Sequence, residues 1–88
     1  MTINIKDLKN KIIYRSRYRG TKEMDTLLGS FTQIHINQLT DDELTMLSDL
    51  LDLDDENLYK FNNGFEIKIK IEKNRVTELF KKYEYVSG

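Results

Sequence analysis

The sequence predicts an all-α fold: a small, single-domain bundle of four to five helices over residues 1–88. Three observations indicate this. Apolar residues recur at intervals of three and four through most of the chain, helix-capping residues precede several of these runs, and proline is absent. Eighty-eight residues can bury only one modest core, so the free energy of unfolding is expected to be small.

The first helix is predicted over about residues 4–17, where one face is apolar and formed by Ile5, Leu8, Ile12 and Ile13. Asp7 lies near the positive end of the helix dipole, and arginines lie near the negative end. Gly20 is expected to end this helix or to form a tight corner, because glycine tolerates a positive φ angle.

A second, longer helix is predicted over about residues 21–37, with an apolar face formed by Met24, Leu27, Leu28, Phe31 and Ile34. Gly29 inside this helix costs about 1 kcal/mol relative to alanine, which a close crossing with a neighbouring helix would explain. His35 is expected to be a partly buried helix residue, since the sequence offers no evident catalytic partner for it.

Local capping signals define the next two helices. The stretch Thr40-Asp41-Asp42-Glu43 has the pattern of a capping box, which predicts a helix from residue 41 to about 52. The expected buried stripe of that helix is formed by Leu44, Leu47, Leu50 and Leu51. Asp54 is expected to cap a short fourth helix that contains Leu58 and ends at Asn62-Asn63-Gly64.

Apolar and charged residues alternate over residues 65–71, which is typical of a β-strand. A strand without a partner in the same chain is unstable, so we expect an extended or helical connection there. A last helix is predicted over about residues 73–83. The alternating segment could also pair with a second copy, so the sequence is compatible with a monomer or a weak homodimer.

The charges fall into blocks, although the net charge is only −1. Residues 1–22 hold seven basic residues and one acid, whereas residues 41–56 hold eight acids and no base. Residues 57–88 are basic again. One interpretation is that these blocks attract each other across the bundle, and the other is that the first block forms a basic face for a partner.

The composition argues against several classes of site. Without cysteine the chain has no disulfide and no thiolate, and a single histidine gives little support for a metal site. No apolar run approaches the roughly 20 residues that cross a bilayer, and the N-terminus has no targeting character. We therefore expect a cytoplasmic protein that is not an enzyme, with no catalytic residue, no metal and no membrane insertion.

Nucleic-acid binding, or a regulatory role, through the basic first helix is the alternative function. The lysines and arginines between Lys9 and Lys22 could contact phosphates, and Tyr14 and Tyr18 could stack on bases. The acidic block close by, the negative net charge and the lack of a recognition-helix motif argue against nucleic acid as a partner.

The stretch from Arg15 to Asp25 is the most informative one for function. Three arginines fall within five positions, a glycine follows, and a glutamate lies three residues beyond the glycine. Folding a small helical domain does not require this arrangement. Within it, Arg19-Gly20-Thr21-Lys22-Glu23-Met24-Asp25 resembles the Arg-Gly-x-x-Glu-x-Asp signature of the succinate dehydrogenase assembly factor family, also called the flavinator family.

The resemblance covers about residues 10–64. Residues 27–31 are similar to the family's apolar second helix, and residues 39–43 to the Leu-Ser/Thr-x-x-Glu start of its next helix. Residues 50–59 are similar to its Leu-Leu-x-x-Asp-Asp-x-Asp-Leu-Tyr/Phe segment. Tyr18 and Thr21 depart from the family, in which another arginine and a methionine are common at these positions.

The resemblance implies a non-enzymatic bundle that binds the flavoprotein subunit of succinate dehydrogenase, or of fumarate reductase, and promotes covalent attachment of FAD. The FAD would belong to this client protein, and the chain itself would bind no cofactor stably. Arg19 is expected to offer its planar donor fork to the client, and Gly20 to let the client approach closely. Glu23 is expected to orient Arg19 or to meet a basic group on the client. The implied partner-binding residues are Arg17, Tyr18, Arg19, Gly20, Glu23 and Asp25.

Overall fold

The computed structural model describes residues 4–84 as an all-α protein. In chain order the helices are α1 (Ile5–Arg17), α2 (Lys22–His35), α3 (Asp41–Leu51), α4 (Asp55–Asn62) and α5 (Arg75–Lys82). The predicted fold class and the order of the helices are confirmed. None of these five helices is long and apolar enough to cross a membrane.

Each helix begins after a residue whose side chain accepts a hydrogen bond from the first turn, and these residues are Asn4, Thr21, Thr40, Asp54 and Asn74. The predicted capping box of α3 is confirmed. The Thr40 N–H donates to Glu43 Oε1 at 2.9 Å, and the Glu43 N–H donates to Thr40 Oγ1 at 3.2 Å. These bonds lie within single turns, which is why local sequence patterns located them.

The core lies where α1 packs against α2 and α3, and where α5 packs against α3 and α4. The rings of Phe31 and Phe80 meet edge to face near its centre, with centroids 5.2 Å apart. The predicted leucine stripe of α3 is buried. The buried apolar side chains are Ile12, Met24, Leu28, Phe31, Ile36, Leu44, Leu47, Leu50, Leu51, Leu58, Val76 and Phe80.

The connection between α4 and α5 contains no strand. Gly64 has a φ of +75° and follows the C-cap residue Asn63, so the predicted end of α4 is confirmed. Residues 65–74 then form an irregular connection, as expected for a segment without a second strand to pair with. Ile67 and Ile71 are half-buried, whereas Phe65 is 58% exposed.

The middle of α2 passes close to the end of α1, as expected from Gly29. A Cβ atom on Gly29 would lie 3.5 Å from Arg17 Cγ and 3.8 Å from the Ser16 carbonyl oxygen, which are ordinary van der Waals distances. The crossing is therefore close but leaves room for a methyl group. His35, at the end of α2, is half-buried with its ring centroid 4.7 Å from that of Phe31, in agreement with the predicted structural role.

We expect Gly29→Ala to raise the free energy of unfolding by up to about 1 kcal/mol, because alanine favours the helix and its methyl group fits at the crossing. Gly64→Ala is the matched control and should lower the same quantity by about 1 kcal/mol, because its backbone has a positive φ. Urea unfolding followed by circular dichroism measures both. A loss of stability in Gly29→Ala would show that the crossing requires glycine.

Candidate functional site

Residues 18–21, here called the corner, connect α1 to α2. The Tyr18 N–H donates to the Tyr14 carbonyl oxygen at 3.2 Å and closes the last turn of α1. Thr21 begins α2, since its hydroxyl accepts the Met24 N–H at 3.2 Å. Gly20 therefore lies in a tight corner, which was one of its two predicted roles, and does not itself end the helix.

Arg19 is the most enclosed residue of the corner, with a side chain only 11% exposed. Its Nε donates to Asp55 Oδ1 at 2.8 Å. Its two terminal nitrogens donate to the carbonyl oxygens of Leu51 and Leu53, at 3.0 and 2.8 Å. The donor fork that we expected to be offered to a client is thus already occupied by the end of α3 and the start of α4.

Asp55 binds the corner with both carboxylate oxygens. While Oδ1 accepts from Arg19, Oδ2 accepts the Gly20 N–H at 2.8 Å. We call these two interactions the Asp55 clasp. A Cβ atom on residue 20 would lie 2.9 Å from Asp55 Oδ2, closer than real Cβ contacts allow. A side chain at position 20 would therefore require the Asp55 carboxylate to shift. The expectation that Gly20 uses a positive φ is wrong, because among residues 4–84 only Gly64 has one.

The clasp also sets the charge of Asp55. Partial burial raises the pKa of the Asp55 carboxyl, but the hydrogen bonds from Arg19 and the Gly20 N–H, with the positive charge of Arg19, outweigh that effect. The pKa of Asp55 consequently lies below its ordinary value. The carboxylate is ionised at neutral pH and forms a charge-assisted pair with the guanidinium.

The other predicted site residues divide into an inward and an outward group. Asp25 is turned inward, where its carboxylate accepts the backbone N–H of Arg19. Arg17, Tyr18 and Glu23 are exposed. The expectation that Glu23 orients Arg19 is wrong, because Asp55 occupies that position, while the expected contact of Glu23 with a client stays a prediction.

A second arginine also joins the basic and acidic blocks. Arg15 donates to the Ser48 hydroxyl at 3.2 Å and pairs with Asp52, which fastens the end of α1 to the end of α3. At the other end of α3, Arg75 pairs with Glu43 at 2.9 Å. For these residues and for Arg19, the interpretation that the charge blocks attract each other across the bundle is confirmed.

An open groove of about 1140 Å³ adjoins the corner. One side is formed by the first turns of α2, including Glu23, and the other by Tyr59 and the end of α5. Within residues 4–84 no group of three histidine, cysteine, aspartate or glutamate side chains could hold a metal ion. The arrangement therefore offers a shaped and charged surface but, in this described part, no cluster of metal ligands.

Sequence reasoning missed the role of Asp55, which it placed only within an acidic block at a helix start. The sequence contains one signal for this role, which is a second aspartate directly after the capping residue. Asp54 alone caps α4, because it accepts the Asn57 N–H at 3.2 Å. Asp55 is therefore free to pair elsewhere. Which arginine it meets depends on how α1 docks, 36 residues away in sequence, and no local pattern records that.

The model of the family described as flavinator of succinate dehydrogenase matches residues 10–84. The chain is 37% identical over 57 residues to "Succinate dehydrogenase assembly factor 2, mitochondrial" of Dictyostelium discoideum, an alignment covering 65% of this chain and 40% of that protein. No solved structure matches the chain.

Two further relatives are similar over much the same length. A protein from Scheffersomyces stipitis with the same name is 40% identical over 58 residues, covering 66% of this chain and 38% of the relative. "FAD assembly factor SdhE" of Acetobacter pasteurianus is 31% identical over 55 residues, covering 62% and 50%. The chain thus spans half the length of these curated relatives or less.

We expect Asp55→Asn to lower the free energy of unfolding by about 2 kcal/mol, because the asparagine amide would face an N–H donor and the guanidinium would lose its counter-charge. Glu56→Gln is the matched control. It removes an exposed ion pair with Lys60 and should change stability by less than about 0.5 kcal/mol. Urea unfolding compares the two, and equal losses would contradict the importance of the clasp.

The stabilisation from Asp55 should depend on pH. Its folded pKa lies below the unfolded value of about 3.9, so its contribution is complete above that value and is lost as the pH falls through the folded pKa. The stability difference between the wild type and Asp55→Asn should therefore be constant near neutral pH and shrink below about pH 4. Urea titrations at a series of pH values measure this stability difference. A difference that grows in acid would contradict a lowered pKa for Asp55.

Proposed function

The chain belongs to the family of flavinators of succinate dehydrogenase, and we propose that it is an assembly factor that binds the flavoprotein subunit of succinate dehydrogenase and promotes covalent attachment of FAD. The observation that carries the proposal is the match over residues 10–84, which includes the corner, α3 and the Asp55 clasp. A relative whose name is "FAD assembly factor SdhE" supports FAD attachment as the process that is assisted.

We propose that the residues of the motif act in two different ways. Arg19, Gly20 and Asp25 hold the corner in shape, because their polar groups are bonded within the chain. Glu23, with Arg17 and Tyr18, contacts the client, since these side chains are exposed beside the corner. A rigid corner lowers the entropic cost of binding, because fewer groups are ordered when the client docks.

The chain's contribution to FAD attachment is positional in this proposal. The chemistry of attachment belongs to the client and its flavin, and the helper holds the client in a conformation that brings a client histidine and the flavin together. The chain is then not an enzyme in the ordinary sense, and FAD remains with the client. We extend the same action to the flavoprotein subunit of fumarate reductase, with the chain as a cytoplasmic monomer or weak homodimer.

Nucleic-acid binding, the alternative function, is not favoured. Two of the cations that would contact phosphates, Arg15 and Arg19, are paired with Asp52 and Asp55. The acidic residues of the chain thus already neutralise part of the basic block. The family match points instead to a protein partner.

The proposed function is tested by expressing the flavoprotein subunit alone, with the wild-type chain, and with Glu23→Gln or Gly20→Arg. We expect covalent FAD, measured as flavin fluorescence of the denatured subunit in a gel, to fall several-fold with either variant. Glu23→Gln should leave the free energy of unfolding within about 0.5 kcal/mol of the wild type, because the side chain is exposed.

The exposed acid Glu56, on α4, provides the control: Glu56→Gln should support as much covalent FAD as the wild-type chain. Gly20→Arg is expected also to lower stability, because a side chain at this position would displace the Asp55 carboxylate from the clasp. Equal fluorescence with and without the chain, in a host where attachment depends on a helper, would overturn the proposed function.

A further inference from the structure

Two exposed aromatic side chains lie at the C-terminal end of α1. Tyr14, in α1, is 64% exposed, and Tyr18, the C-cap residue that follows α1, is 68% exposed. Their ring centroids lie 4.6 Å apart with the planes inclined by 37°, so the two rings pack on each other. Neither tyrosine is among the residues of the hydrophobic core, so both rings are available to a partner.

Two cations flank the aromatic pair. Lys11 lies one turn before Tyr14, Arg17 lies one turn after it, and both are exposed. The ion pairs formed within residues 4–84 include neither of them, in contrast to Arg15 and Arg19, which are paired with acids of α3 and α4. Lys11 and Arg17 thus place unpaired positive charge beside the tyrosines.

The composition of this surface is that of a protein-binding hot spot. Tyrosine and arginine are enriched at such sites, where a central aromatic group is covered and charged groups lie around it. Because Tyr14 and Tyr18 already pack on each other, they lose little conformational freedom when a partner covers them. The surface is also continuous with the corner, since Tyr18 belongs to both.

Resting on the proposed function, we infer that the face formed by Lys11, Tyr14, Arg17 and Tyr18, here called the tyrosine face, docks onto an acidic patch of the client flavoprotein. Carboxylates of that patch pair with Lys11 and Arg17, and apolar surface between them covers the two rings. The charge of the tyrosine face determines the sign of the partner. Protein is favoured over nucleic acid because the two rings pack on each other, with centroids 4.6 Å apart, and because the family match points to a protein partner.

The test measures binding of the full chain to the purified flavoprotein subunit by calorimetry. Tyr14→Ala with Tyr18→Ala should weaken binding at least about tenfold, as expected for hot-spot residues. The matched pair Tyr14→Phe with Tyr18→Phe keeps the rings and should bind within about threefold of the wild type. Phe65→Ala, which removes an aromatic side chain that is 58% exposed on the connection between α4 and α5, should bind as the wild type does.

A second measurement does not depend on the stability of the tyrosine variants. Lys11→Gln with Arg17→Gln should weaken binding at low salt and make the affinity less dependent on salt concentration. An unchanged salt dependence, or full binding by the alanine pair, would overturn the inference and the corresponding client contact of Arg17 or Tyr18. The proposed role as an assembly factor for FAD attachment would remain.

Two other outcomes also decide the matter. A wild-type chain that does not bind the flavoprotein subunit would overturn the proposed function and this inference together. Binding of a single-stranded RNA oligonucleotide that is lost in the alanine pair, without effect of that pair on flavoprotein binding, would assign the tyrosine face to nucleic acid instead.

Discussion

The position of the corner depends on one polar interaction above all, the pairing of the Asp55 carboxylate with Arg19 and Gly20. The carboxylate oxygens bond the Arg19 side chain and the Gly20 backbone, so the turn between α1 and α2 is tied to the first residue of α4. The same arginine reaches the carbonyls of Leu51 and Leu53 at the end of α3. The position of the corner thus depends on α3 and α4 having docked correctly.

Because of this constraint, the residues of the motif do not all serve as contacts for another protein. Arg19 and Gly20 are adjacent to the surface but bonded within the chain, whereas Glu23, Arg17 and Tyr18 are free to meet another molecule. A sequence motif in this chain therefore combines two requirements, one for the shape of the corner and one for its chemistry. In the proposed function, loss of either would impair docking to the client, but only loss of the first should reduce stability.

The sequence was sufficient for the features that depend on neighbours within one or two turns. The capping box at Thr40, the cap at Asp54 and the end of α4 at Gly64 were all predicted, because the groups that form them are close in the chain. The pairing of Arg19 with Asp55 was not predicted, because it depends on how α1 crosses α3. For Gly20 the position in a corner was predicted correctly, but its hydrogen bond to a carboxylate 35 residues away was not.

The residues of the Asp55 clasp are far apart in sequence, which limits the form of the chain that another protein can recognise. A peptide that copied residues 15–25 would contain every letter of the motif but would lack Asp55 and the carbonyls of Leu51 and Leu53. Its arginine side chain and its backbone turn would have no fixed conformation. The corner is therefore a conformational epitope and not a linear one, and it exists only while the whole bundle is folded.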